Sequence, residues 1–288
     1  MSSLPQARTD IYHAVSTAEP DIQVQPQTFW ASAYASGTTR KTVLLVLLAL
    51  IWEVYARLLD SPLLFPTLSA TLQALINGIV SAELPRAAWY TLSLLFKGYL
   101  AGLIIAGLLT AFASVTRIGA DLLETLTAMF NPLPSIALLP LALIWFGLGD
   151  GSVIFVLIHA VLWAVALNTF SGFRSLSPTL KMVGQNYGLS PLAYITRILI
   201  PGAFPSILTG LKVGWAFAWR TLIAAELVFG VSSGSGGLGW YVFENKNQLL
   251  IPEVFAGLLT VILFGLLVEG LVFRSIENRT VKRWGMLS

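Results

Sequence analysis

The fold class this sequence predicts is an all-α, polytopic membrane protein of about six transmembrane helices, and three observations predict it. Hydrophobic residues make up 56% of the 288 and charged residues 11%, where an average soluble domain is roughly a quarter charged. An apolar excess of that size must face something other than water, which makes membrane lipid a partner. The apolar residues are gathered into runs of about 20, the length of helix that crosses a bilayer. Lys and Arg concentrate in alternate connections, the asymmetry that orients such a chain.

The chain opens with a tail, residues 1–40, rich in Ser, Thr, Ala, Gln and Pro and lacking a sustained apolar run, which predicts mostly disordered polypeptide. The first apolar core begins at Thr42, behind Arg40 and Lys41, too far along for a secretory signal. Residues 42–59 therefore read as a retained first span within a segment running 41–84. Behind Pro66, residues 67–83 mix apolar and polar side chains as an external or interfacial helix does. Spans two to six fall at 88–115, 133–148, 152–171, 205–230 and 252–273, and with their connections make up a core of 85–275. Span two is long enough to tilt. Span three is short and carries Pro134 and Pro140 just after Pro132, which predicts a kink whose freed carbonyls neighbouring helices satisfy. A short tail, 276–288, ends the chain, and no internal repeat is evident.

An even number of spans puts both termini on one side. That side receives Arg40, Lys41, Arg117, Arg174, Lys181, Arg197, Arg274, Arg279, Lys282 and Arg283, the other only Arg86 and Lys246. Positive residues stay inside, so both termini and the 172–204 loop are expected in the cytoplasm. Asp60, Glu83, Asp150, Glu244 and Glu253 are expected outside. The net charge of +3 is too slight to predict a nucleic-acid partner. Without cysteine and with two histidines, the chain has no disulfide or thiol nucleophile, and a zinc site is not expected.

The loop after span four is the most informative segment. Ser177 is placed to cap a short helix with Pro178 at its first position, and Gly188 followed by Ser190-Pro191 turns it, so helix, turn and helix are expected between two spans. Met182, Val183 and Gly184, then Tyr187, Gly188, Leu189, Ser190 and Pro191, then Ile198-Leu199-Ile200-Pro201 resemble the cytoplasmic coupling loop of ATP-binding-cassette importer permeases. That family's pattern is Glu-Ala-Ala, three residues, Gly, nine residues, Ile-x-Leu-Pro. Gly188, Ile198 and Pro201 fall on its spacing, while Met182, Val183 and Gly184 stand in the Glu-Ala-Ala places and Ile200 in the Leu place. A second stretch is similar to the permeases for nitrate, bicarbonate, taurine and aliphatic sulfonates: Asn131-Pro132-Leu133-Pro134, Ala137, Pro140-Leu141 and Trp145-Phe146-Gly147-Leu148-Gly149.

The resemblance runs from about 88 to 285 and implies the type I permease core, with a homodimer of this chain enclosing the translocation path. It also implies two cytoplasmic ATP-binding subunits on the coupling loops and an external solute-binding protein, in the inner (plasma) membrane of a bacterium. ATP and Mg would sit on the partner ATPase, with no cofactor and no catalysis on this chain. The absence of a Gly-x-x-x-x-Gly-Lys-Ser/Thr loop in the sequence accords with that.

Candidates for the path are Lys97, Asn131, Pro134, Trp145, Arg220 and Glu226. A charge inside a lipid-facing helix costs about 2.5–3.5 kcal/mol, so it should face protein or water. Glu53 and Arg57, four apart, are placed to neutralise each other, and Lys212 and Glu269 to snorkel or pair near an interface. Arg220 and Glu226 lie about 240° apart around one helix and need separate partners. Arg220 either lines the path or joins an interhelical ion pair. Trp145 either anchors at headgroup level or, with Gly147 and Gly149 behind it, marks a hinge.

Two motifs are rejected. Gly234-Ser235-Gly236-Gly237-Leu238-Gly239 fits Gly-x-Gly-x-x-Gly but comes after a membrane span rather than a strand, and reads as an external loop. Asn278-Arg279-Thr280 fits a glycosylation sequon on the cytoplasmic side. A membrane enzyme would need clustered acids, histidines or a nucleophile beside a base, whereas His13 lies in the tail and His159 stands alone in span four, as a packing residue does. An ion-gradient-driven carrier is the alternative transporter, though the inverted repeats and paired broken helices usual in that class are not seen.

Overall fold

Whether an apolar stretch becomes one helix or two depends on what interrupts it, and here the interruptions are mostly proline and glycine. The computed structural model describes residues 36–229 and 236–283. Its first helices are α1 (Gly37–Leu59), α2 (Leu68–Val80), α3 (Glu83–Val115) and α4 (Arg117–Phe130). Past Pro132 and Pro134 a 3-10 turn, Ser135–Leu138, leads into α5 (Leu139–Phe146), and α6 (Asp150–Ser175) comes after it. Two short helices come next, α7 (Pro178–Asn186) and α8 (Pro191–Tyr194), from which a π turn at Ile195–Leu199 carries the chain to Gly202. Then come α9 (Phe204–Phe229), α10 (Leu238–Asn247) and α11 (Ile251–Leu267). A π segment, Val268–Phe273, and α12 (Arg274–Arg279) prolong the last.

No strand occurs among the described residues, and the fold is all-α as predicted. The tail expected over 1–40 lies outside the described residues up to residue 35, as do 230–235 and 284–288.

Four stretches are each long and apolar enough to cross a membrane: α1, α3, α6 and the run from α11 through α12. Two bent pairs add to them, α4 with 135–146 at 87° and 191–202 with α9 at 78°, giving six crossings if each pair is one. The kink expected in span three is therefore a right-angled bend, and the helix before it, α4, was not expected. Arg117, Asp121 and Glu124 break the hydropathy of that stretch, although it is helical throughout.

The described residues form two compact units, one ending at Leu50 and one beginning at Ile51, a division that falls inside α1. Within the second unit the core lies where α3, α6 and α9 pack, with Leu95, Leu157, Val161 and Leu222 almost wholly buried. Small residues four apart bring these helices together, as in membrane bundles generally. A Cβ on Gly98 or Gly102 would stand 2.6 Å from Leu157 or 2.8 Å from Val161. The outward faces stay apolar, with Leu108, Ile144, Leu266 and Leu271 exposed, as a lipid-facing surface requires.

Near the start of that unit Arg57 pairs with Glu53 at 2.6 Å, the neutralisation its spacing predicts. Glu53 also accepts the Ser69 N–H (3.1 Å) at the head of α2, where Thr67 Oγ1 caps Ala70 N–H at 3.2 Å. The helix expected at 67–83 thus forms.

Candidate functional site

The segment between α6 and α9 folds as its turn residues dictate. Ser177 Oγ accepts the Leu180 N–H at 3.4 Å, and Pro178 opens α7. At the other end the Leu189 N–H reaches back to Gly184 O at 3.3 Å around Gly188, whose φ is +60°. That is a Schellman stop, which glycine enters without steric cost. Ser190 Oγ then caps Ala193 N–H (3.4 Å) with Pro191 at the first position of α8.

Gly184 is buried because α7 folds back onto α8 and the π turn behind it. A Cβ there would lie 2.5 Å from Tyr194 Cδ2 and 2.9 Å from Ile198 Cδ1. Beneath this foot Phe173, Leu199 and Ala203 form a small core against Leu176 and Ile207. Its outer surface is apolar and uncovered: Met182, Val183 and Pro201 are exposed, Tyr187 is 79% exposed and Leu192 72%. Leu189 and Ile198 are half-buried.

A cleft of about 370 Å³ opens beside the right-angled bend. Residues 131–136 form one wall, and His159, Ala160 and Trp163 of α6 form the second. The third wall is Phe217, Arg220, Thr221 and Ala224, one face of α9 at helical spacing. His159 Nδ1 lies 3.1 Å from Ser135 Oγ, tying the bend to α6. Phe130 stacks on Trp163 at 5.6 Å and meets His159 edge-on at 6.4 Å.

Three of the six path candidates meet in this cleft, Asn131, Pro134 and Arg220. His159, Trp163, Phe217 and Thr221 were not singled out for it, and no local signal marks them, because the cleft depends on which faces of three helices converge.

The basic residues within the spans divide unevenly. Arg57 has Glu53, Lys97 lies 3.8 Å from Asp150, and Lys212 pairs with Glu277 rather than with Glu269. Arg220 has no acidic partner among the described residues and is exposed to the cleft. The interhelical ion pair that was the other reading of Arg220 is thus not formed here.

The remaining candidates lie elsewhere. Lys97 shares Asp150 with Tyr90, whose hydroxyl donates to it at 2.7 Å. Trp145 packs its exposed ring edge-on to Phe155 at 5.7 Å. Glu226 is 5% exposed and accepts Thr91 Oγ1 (2.9 Å) and the Gly239 N–H (2.9 Å). The Leu238 N–H in turn donates to Thr91 Oγ1 at 2.8 Å.

This arrangement accounts for part of the rejected glycine motif. A Cβ on Gly237 would stand 2.1 Å from Glu226 Oε1, so the chain wraps a carboxylate where a nucleotide phosphate would otherwise be suspected. Gly234 and Ser235 lie outside the described residues. On α10 the buried Tyr241 hydroxyl is pushed up to about 12 by burial, with Glu83 and Glu253 adding to the effect. No three metal-ligating side chains gather among the described residues.

Residues 98–280 match the family model of the binding-protein-dependent transport system inner membrane component. The chain is 31% identical over 245 residues to the taurine transport system permease protein TauC of Escherichia coli, covering 82% of this chain and 86% of that protein. The nitrate import permease protein NrtB of Synechocystis is 26% identical, over 82% of this chain and 87% of its own length. A relative named for aliphatic sulfonates transport, SsuC of Bacillus subtilis, is 26% identical over 85% and 88%.

Proposed function

The chain belongs to the family of binding-protein-dependent inner membrane transport components, and on that premise we propose that it is the permease subunit of an ATP-driven importer for a small anionic solute, of the taurine, sulfonate, nitrate or bicarbonate class. Two copies enclose the path, each foot rests on a cytoplasmic ATPase subunit that holds ATP and Mg, and an external solute-binding protein delivers the cargo. Both termini are cytoplasmic. The chain itself carries no cofactor and catalyses nothing.

One observation carries the coupling part of this reading: the foot joins the end of α6 to the start of α9, and those two helices supply two walls of the cleft. Closure of the ATPases would push on the exposed Tyr187 and Leu192. The small core of Phe173, Leu199 and Ala203 would pass that push to both helices as one body, the rigid-element transmission by which such switches work. Arg220 and Asn131 in the cleft favour an anionic cargo.

The test is Gly188→Leu in the complex assembled with its ATPase. At φ +60° a side chain costs roughly 1–2 kcal/mol, so the foot should deform and ATP-dependent uptake should fall sharply. Uptake and assembly both left intact would refute the coupling role. Transport by the purified chain with no ATPase present would instead favour a gradient-driven carrier.

A further inference from the structure

We infer that the cleft at Arg220 takes an organic monoanion, a sulfonate or carboxylate head on an apolar body, and rejects both amino-sulfonate zwitterions and small inorganic oxyanions. The inference rests on the transport reading above and deepens it. Three observations argue for it.

The first is the unpaired guanidinium. Among the described basic residues of the spans, Arg57, Lys97 and Lys212 have acidic partners and Arg220 has none. Its planar fork matches a carboxylate or sulfonate edge.

The second is the missing counter-charge. Among the described residues no Asp or Glu lines the cleft. The acid nearest in sequence on α9, Glu226, is turned away and engaged by Thr91 and Gly239. An ammonium group brought here would be desolvated without an anion beside it, which is costly.

The third is the wall itself. Pro132, Leu133, Ile136, Trp163 and Phe217 line the space with Ser135 and His159. Ser135 Oγ and His159 Nδ1 are engaged with each other at 3.1 Å, and His159 Nε2 and Trp163 Nε1 are buried, so free polar contact comes chiefly from the side of Arg220, Thr221 and Asn131. A small oxyanion needs donors all round, and this cleft leaves most of its surface unmatched. The volume of about 370 Å³ lies in the range of sites for small organic ligands.

The experiment uses the purified full chain in lipid nanodiscs and saturation-transfer NMR, which reads weak binding. Hexanesulfonate and benzoate are the probes, one for each head group, and taurine and nitrate are the competitors. At least one probe should give a saturable signal that neither competitor displaces in large excess. Arg220→Gln should weaken it by at least about tenfold, the equivalent of one lost charge-assisted hydrogen bond. Arg220→Lys, which keeps the charge and loses the fork, should bind more weakly than the native chain and more tightly than Arg220→Gln, and unchanged thermal unfolding of both variants would exclude misfolding.

Displacement by taurine or nitrate at matching concentrations would overturn the inference, as would failure of both probes to saturate or full binding by Arg220→Gln. The transport reading is tested separately by the Gly188→Leu uptake assay. Uptake that couples to ATP while taurine displaces the probes sinks the substrate class alone. Probe binding as expected with uptake insensitive to Gly188→Leu sinks the coupling alone.

Discussion

Glu226 accepts from Thr91 and from the Gly239 amide in a pocket that leaves it 5% exposed. Glu226→Ala strands a hydroxyl and an amide without an acceptor, at about 1–3 kcal/mol each. The expected outcome is a lowered thermal unfolding midpoint, with Glu226→Gln recovering much of it because the amide oxygen still accepts. Nearby, the Tyr241 hydroxyl is pushed up to about 12 by burial and by Glu83 and Glu253. A phenol whose pKa rises on folding contributes stability that is complete below its unfolded value near 10 and is lost as the pH climbs through the folded one. Stability should therefore fall between about pH 10 and pH 12, and Tyr241→Phe should flatten that limb of the profile. From sequence the need of Arg220 and Glu226 for separate partners came from their spacing around α9. The partner that Glu226 finds was out of reach, because Thr91 stands 135 positions away.

The foot shows what local chemistry can and cannot specify. Ser177, Gly188, Ser190 and Pro191 announce their turns through side chains and dihedrals that need no distant partner, and all four take the places expected of them. Helix α4 stayed hidden because its charged residues serve contacts made across the fold: Glu124 pairs with Arg174 at the far end of α6. Helix α10 stayed hidden because ten residues of mixed polarity carry little periodic signal. The exposed apolar surface of the foot suggests a sharp test. Leu192→Asp and Tyr187→Asp change residues that are 72% and 79% exposed, so circular dichroism of the isolated chain should be unaltered. Co-purification with the ATPase should be lost, since an interface core tolerates a buried unpaired charge poorly.

For the whole molecule, the distribution of Lys and Arg predicts a cytoplasmic foot and an external α10, and the chain contains no cysteine. Single cysteines can therefore be added on a blank background. Tyr187→Cys should react with a membrane-impermeant maleimide only in inverted vesicles, and Gln248→Cys only in right-side-out ones; the opposite pattern would invert the topology. The four long apolar stretches, α1, α3, α6 and the run from α11 through α12, were legible because hydropathy over about 20 residues is a bulk property. The right-angled break was not, because proline marks where a helix stops and says little about where the chain then heads. That break bears on what can surround it. With 14 residues, α4 reaches about 21 Å, short of the roughly 30 Å of hydrocarbon, so if the pair forms one crossing its elbow sits at membrane depth. There Pro132 stands where the amide donor for the Ala128 carbonyl would be. Oil offers that oxygen nothing, so its donor must come from a neighbouring helix, a side chain or water, and the elbow has to turn toward protein or a wet cavity rather than toward lipid tails.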